Sequence, residues 1–115
     1  MGARLLPLRA DLTHYNFETE LEGRTYGFEL RYNERDAGWY LSLYTGDGEP
    51  LLSGRRVLLG APLLARTRDL RLPPGELEAI DTAGEGQEAG LGELGARVQL
   101  LYTENSSLPV SYLTP

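Results

Sequence analysis

His14 is the only histidine in this 115-residue chain, and so the only side chain whose ordinary pKa lies near neutrality. To serve as a general base it needs a positioned partner, and Asp11 is the nearest preceding carboxylate. No nucleophile stands beside it in a recognised motif, and a polar residue at a strand edge is the plainer reading. Two acid pairs, Asp47 with Glu49 and Glu76 with Asp81, have the residue types of a glycosidase. That chemistry requires carboxyl groups about 5 Å apart for retention or about 6.5–9.5 Å for inversion. All four acids fall in turns or at strand ends, where carboxylates serve local hydrogen bonding. Gly46-Asp47-Gly48 lacks the ligand series and closing glutamate of a calcium loop. Gly84-Glu85-Gly86 has the glycines of a phosphate loop but no lysine, and its acid repels phosphate.

Composition removes further chemistry. The absence of cysteine excludes disulfides, thiolate metal sites and thiol nucleophiles, and a single histidine excludes paired-histidine metal sites. All eleven basic residues are arginine, so Schiff-base and P-loop lysines are absent as well. The expectation is a protein that is not an enzyme and carries no cofactor or metal. A net charge of −6 argues against sequence-independent nucleic-acid binding, which needs a positive footprint. No apolar run approaches the ~18 residues of a membrane span. Met1–Leu12 is broken by Pro7 and lacks a cleavage signal, so a cytoplasmic site of synthesis without membrane insertion is expected. The arginines Arg55, Arg56, Arg66, Arg68 and Arg71 are the more informative set. They form either a solvated face that offsets the acids or bidentate donors for carboxylates on a partner.

The elements that must position these residues have a period of two. Tyr26, Phe28, Leu30 and Tyr32 alternate with Gly27, Glu29 and Arg31, and Tyr15, Phe17, Thr19 and Leu21 alternate with Asn16, Glu18 and Glu20. Glu22-Gly23 lies between the two runs and predicts a tight hairpin of 15–22 with 24–33. The turn cluster 33–38 leads to a strand at Trp39–Tyr44, with Trp39, Leu41 and Leu43 on one face and Tyr40, Ser42 and Tyr44 on the other. After Thr45–Pro50, Leu51–Val57 completes a four-stranded meander. Leu58–Leu72 reads as an irregular crossover or a single helical turn, closed by Pro73-Pro74-Gly75. Glu76–Asp81 and Ala96–Tyr102 read as two more strands, separated by a glycine- and acid-rich loop, 82–95, expected to be exposed and mobile.

The expected fold is all-β: a small antiparallel barrel or sandwich of about six strands over residues 13–102. Terminal arms flank it at 1–12 and 103–115. Leu5, Leu6 and Leu8 in the first arm, and Leu108, Val110 and Tyr112 in the second, are apolar residues suited to a neighbouring subunit or to their own domain. Together with the five arginines they make a candidate partner interface. A ligand- or carbohydrate-binding barrel using Trp39, Tyr40 and Tyr44 as a platform is the alternative, and a hydrolase built on His14 or the strand-end carboxylates is a third reading.

Several strings carry a family resemblance: Arg31-Tyr32-Asn33-Glu34-Arg35, Gly38-Trp39-Tyr40-Leu41, and Pro50-Leu51-Leu52-Ser53-Gly54-Arg55-Arg56. Leu70-Arg71-Leu72-Pro73-Pro74-Gly75-Glu76-Leu77, Asp81-Thr82 and Leu94-Gly95-Ala96-Arg97-Val98 continue it. Over roughly 13–102 the chain resembles the baseplate plug family of contractile-tailed phages. The resemblance implies a virion component at the distal end of the tail tube, in or around the central hub. It implies tail-tube and hub proteins as partners, with copies of the chain in three- or sixfold order. It supplies no catalytic residue. An acidic surface suits a channel that DNA passes without adhering.

Overall fold

In the computed structural model, which describes residues 2–64 and 71–104, the chain forms seven antiparallel strands. They are β1 (Ala3–Leu5), β2 (His14–Leu21), β3 (Arg24–Asn33), β4 (Gly38–Thr45), β5 (Pro50–Arg56), β6 (Glu76–Asp81) and β7 (Val98–Thr103). The four central strands pair in sequence order as β2-β3-β4-β5, and the others form a three-stranded sheet ordered β1-β7-β6. The arrangement is sandwich-like, and no helix occurs among the described residues.

The first hairpin follows from its turn chemistry. Glu22 and Gly23 have φ of +50° and +87°, the left-handed pair of a two-residue type I′ turn, whose twist matches that of its strands. Register then runs from Leu21 opposite Arg24 to His14 opposite Arg31 without a slip. One face of each strand therefore points inward throughout. Tyr26, Phe28 and Leu30 of β3 and Trp39, Leu41 and Leu43 of β4 are buried. Leu77 and Ala79 of β6 and Val98, Leu100 and Tyr102 of β7 are buried from the other sheet. Each large side chain removed from water in this way contributes about 1.5–3 kcal/mol.

The structure adds a seventh strand to the expected six. Ala3–Leu5, read from sequence as part of an arm, pairs with Leu101–Thr103 as the edge of the smaller sheet. Leu6 follows it into the core and donates its amide to the Leu100 carbonyl at 2.9 Å. The irregular middle does not turn helical over 58–64. It crosses between sheets and lies along β6, with Leu59 bridged to Ala79 and the Leu63 amide bonded to the Leu77 carbonyl at 2.8 Å. The loop 82–95 is exposed throughout 82–88, as its composition suggests, and is anchored further on by Ala89 and Leu94, which are buried.

Candidate interaction surfaces

The structure sorts the sequence-derived residues by what they already touch. Arg55 donates from Nη1 to the Leu63 carbonyl at 2.9 Å and so ties β5 to the crossover. Arg56 pairs with Asp36 at 3.2 Å and lies over the Tyr40 ring, 5.8 Å from its centroid. Tyr40 also donates its hydroxyl to Asp36. Arg71 reaches Glu49 at 3.5 Å, with both side chains more than half exposed. Such an exposed pair contributes at most about 1 kcal/mol. Arg66, Arg68, Leu108, Val110 and Tyr112 lie outside the described residues. Of the apolar arm, Leu5 is 49% exposed, Leu8 packs partly against the core, and Leu6 is committed to it.

The residues that could do chemistry are separated. His14 Nε2 meets Glu29 Oε2 at 2.6 Å on the outer face of the larger sheet, an open hydrogen-bonded contact between strands. Glu76 and Asp81 occupy the two ends of β6. Their positions differ by an odd number of residues, which places them on opposite faces. Asp47 is exposed in the β4–β5 turn, and Glu49 is engaged by Arg71. No group of three or more potential metal ligands is assembled among the described residues. Trp39 is 1% exposed and donates its indole N–H to the Gly90 carbonyl at 3.1 Å, so it cannot share a platform with Tyr40 and Tyr44 across the sheet. A shallow depression of about 480 Å³ lies over Gly27, lined by Asn16, Glu18, Glu29, Tyr44 and Asp47. The carboxylates of Glu18, Glu29 and Asp47 among its lining residues disfavour an anionic occupant.

Sequence reading missed the network around Arg97. Its guanidinium meets Asp81 at 3.0 Å and Glu93 at 3.1 Å, and bonds the Gln87 and Glu88 carbonyls at 2.9 and 3.0 Å. Asp81 in turn accepts from the Ala83 and Gly86 amides. Arg97, the arginine nearest in sequence to this acidic loop, thus acts as its internal counter-ion, a signal available in the sequence. Arg97→Ala is expected to loosen 82–95 while leaving the sheets paired. Hydrogen exchange should quicken at the Ala83, Gly86 and Gly90 amides and stay slow at Leu100 and Tyr102; unchanged loop exchange contradicts this role.

The carboxyl groups shift in opposite directions. Desolvation alone would raise Asp81, but the Ala83 and Gly86 amides and Arg97 outweigh it and hold the group below its usual range. The hydrogen bond from Arg97 lowers Glu93. Burial raises Glu76, against the opposing bonds from the Leu64 and Leu77 amides to its Oε2 at 2.8 and 2.9 Å. Asp81 and Glu93 therefore contribute stability that is present above the unfolded carboxylate range and lost as pH falls through their lowered values. Glu76 has the opposite sign. Its contribution is full below the unfolded value and lost as pH rises through the raised one. Glu76→Gln should gain stability relative to the native chain as pH rises from about 4 toward neutrality. Urea midpoints across that window read the difference, and a pH-independent gap contradicts the assignment.

Fold and surfaces together define a small two-sheet β-sandwich in which Arg55, Arg56, Arg71 and Arg97 are each engaged by groups of the same chain. The chain belongs to the family described as the cyanophage baseplate Pam3 plug gp18, whose model matches residues 3–105. The match includes β1 and all six other strands, and it places the protein in the tail baseplate of the virion. No curated protein matches the chain.

Proposed function

We propose that the protein is a non-enzymatic plug component at the distal end of the tail tube, working by assembly with tube and hub proteins. The observation that carries this reading is the family match over 3–105. The structure supports it in two ways. A rigid double sheet supplies a body that withstands contact on several sides. The candidate chemical groups are dispersed or paired rather than gathered in a cleft.

In this reading several copies, three or six, stand around the tail axis, and each interface repeats so that the ring closes. Leu5 and Arg71, with Arg55 and Arg56 at the edge of the crossover, supply contacts to neighbours. Arg66, Arg68, Leu108, Val110 and Tyr112, outside the described residues, are proposed as partner contacts as well. Leu6 stands apart from these, because its side chain is spent on its own core. The acidic surface limits adhesion of DNA passing nearby.

Co-expression with the tail-tube and hub proteins of the same phage, followed by size exclusion with light scattering, tests this reading. A stable complex holding more than one copy of the chain is expected. A strictly monomeric protein that binds neither partner contradicts it.

A further inference from the structure

We propose that the outer edge of β2 is a strand-accepting site for an extended partner segment carrying arginine or lysine at every second position. Two sheets present four edges, and three are covered, irregular or short. β6 is covered by the crossover through the Gly60–Ala79 and Leu63–Leu77 backbone bonds. β5 starts at Pro50 and shifts register twice against β4. β1 has three residues, and Pro7 follows two positions later. β2 keeps eight residues in unbroken register and contains no proline and no bulge. Natural edges of this length are normally blunted, so an open one invites pairing.

The ladder fixes which groups are on offer. The Tyr32 amide bonds the Thr13 carbonyl at 2.8 Å, so the odd-numbered residues of β2 turn their backbone groups toward β3. The amides and carbonyls of His14, Asn16, Glu18 and Glu20 point away from the sheet and have no partner among the described residues. Side chains set the occupant's pattern. Glu18 and Glu20 are exposed on the outer face, with Glu29 on the adjacent strand. On the inner face Phe17 is half-buried and stacks on Phe28 with centroids 5.1 Å apart, while Arg4 reaches Thr19 Oγ1 at 2.6 Å. A guest strand must therefore be cationic toward Glu18 and Glu20 and apolar toward Phe17. A second copy fits poorly, since pairing two such edges sets Glu18 beside or diagonal to Glu18 of the other.

The inference rests on the assembly role only for where such a segment would come from, and the experiment reads the edge alone. The full chain is titrated with a capped hexapeptide of alternating arginine and valine, and with a block peptide of three arginines followed by three valines. The alternating peptide should bind about tenfold more tightly and slow exchange at the amides of residues 14, 16, 18 and 20. Glu18→Pro removes an outward N–H together with one of the two carboxylates and should abolish binding, beyond the loss from the charge change alone, while the amides of 15, 17 and 19 stay protected. Glu18→Lys with Glu20→Lys should weaken binding about tenfold. Equal binding of the two peptides, protection away from β2, or full binding by a folded Glu18→Pro variant overturns the proposal. So does concentration-dependent protection of the even-numbered amides without peptide, which would give the edge to a second copy. None of these results bears on membership of the baseplate.

Discussion

Replacing Gly75 with alanine is expected to destabilise the domain by about 3 kcal/mol, at the upper end of overpacking costs. An added Cβ would lie 2.0 Å from the Thr103 carbonyl oxygen and 2.7 Å from the Tyr102 hydroxyl. The first of these is backbone, held in register between β1 and β6, and cannot swing aside. The second belongs to Tyr102, a fully buried residue whose hydroxyl accepts from the Gly75 amide at 2.8 Å and donates to Glu22 in the first hairpin turn. Gly75 thus sits where the end of the crossover, the smaller sheet and the β2–β3 turn converge. Burial and the neighbouring Glu22 carboxylate together raise the pKa of Tyr102, which keeps it a protonated donor at any working pH. Urea unfolding of Gly75→Ala measures the loss. Adding Tyr102→Phe should not rescue it, because the carbonyl clash remains; full rescue would show that the ring alone sets the constraint.

The second large effect is expected at Trp39. Truncation to alanine should cost about 3–5 kcal/mol, the range for a buried aromatic. The indole packs edge-on to Tyr32, with centroids 5.4 Å apart, and joins β4 to the loop 82–95 through Gly90. Trp39→Phe separates the two contributions. It keeps much of the apolar contact but leaves the Gly90 carbonyl without its donor, at a cost of about 1–3 kcal/mol. The phenylalanine variant should also speed exchange in 82–95 ahead of global unfolding. Equal stability of the two variants would mean that ring volume contributes little.

The parts of this fold that were legible in the sequence are the local ones. Tyr15–Leu21 and Arg24–Asn33 alternate strictly and meet at Glu22-Gly23, so pattern, turn and register agree. Trp39, Leu41 and Leu43 share the buried face of β4 for the same reason. β1 was hidden because three residues cannot display a period, and its partner β7 lies near the other end of the chain. The loop 82–95 looked open because glycine and glutamate dominate it, while its order comes from Arg97 and from Leu94, which is fully buried. The arginines drew attention as possible donors to another protein. Their partners, Asp36 for Arg56 and Glu49 for Arg71, lie about twenty residues away and meet them only once the meander folds. The β2 edge gives no sequence signal of its own, since it is defined by what covers, breaks or shortens the other three edges.

The most direct test of the structural role is a cryo-EM map of the tail of the phage that encodes this chain. The account predicts density for a seven-stranded double sheet at the distal end of the tail tube, repeated around the tail axis and touching tube and hub subunits. A fully traced baseplate with no density for this sandwich would contradict it.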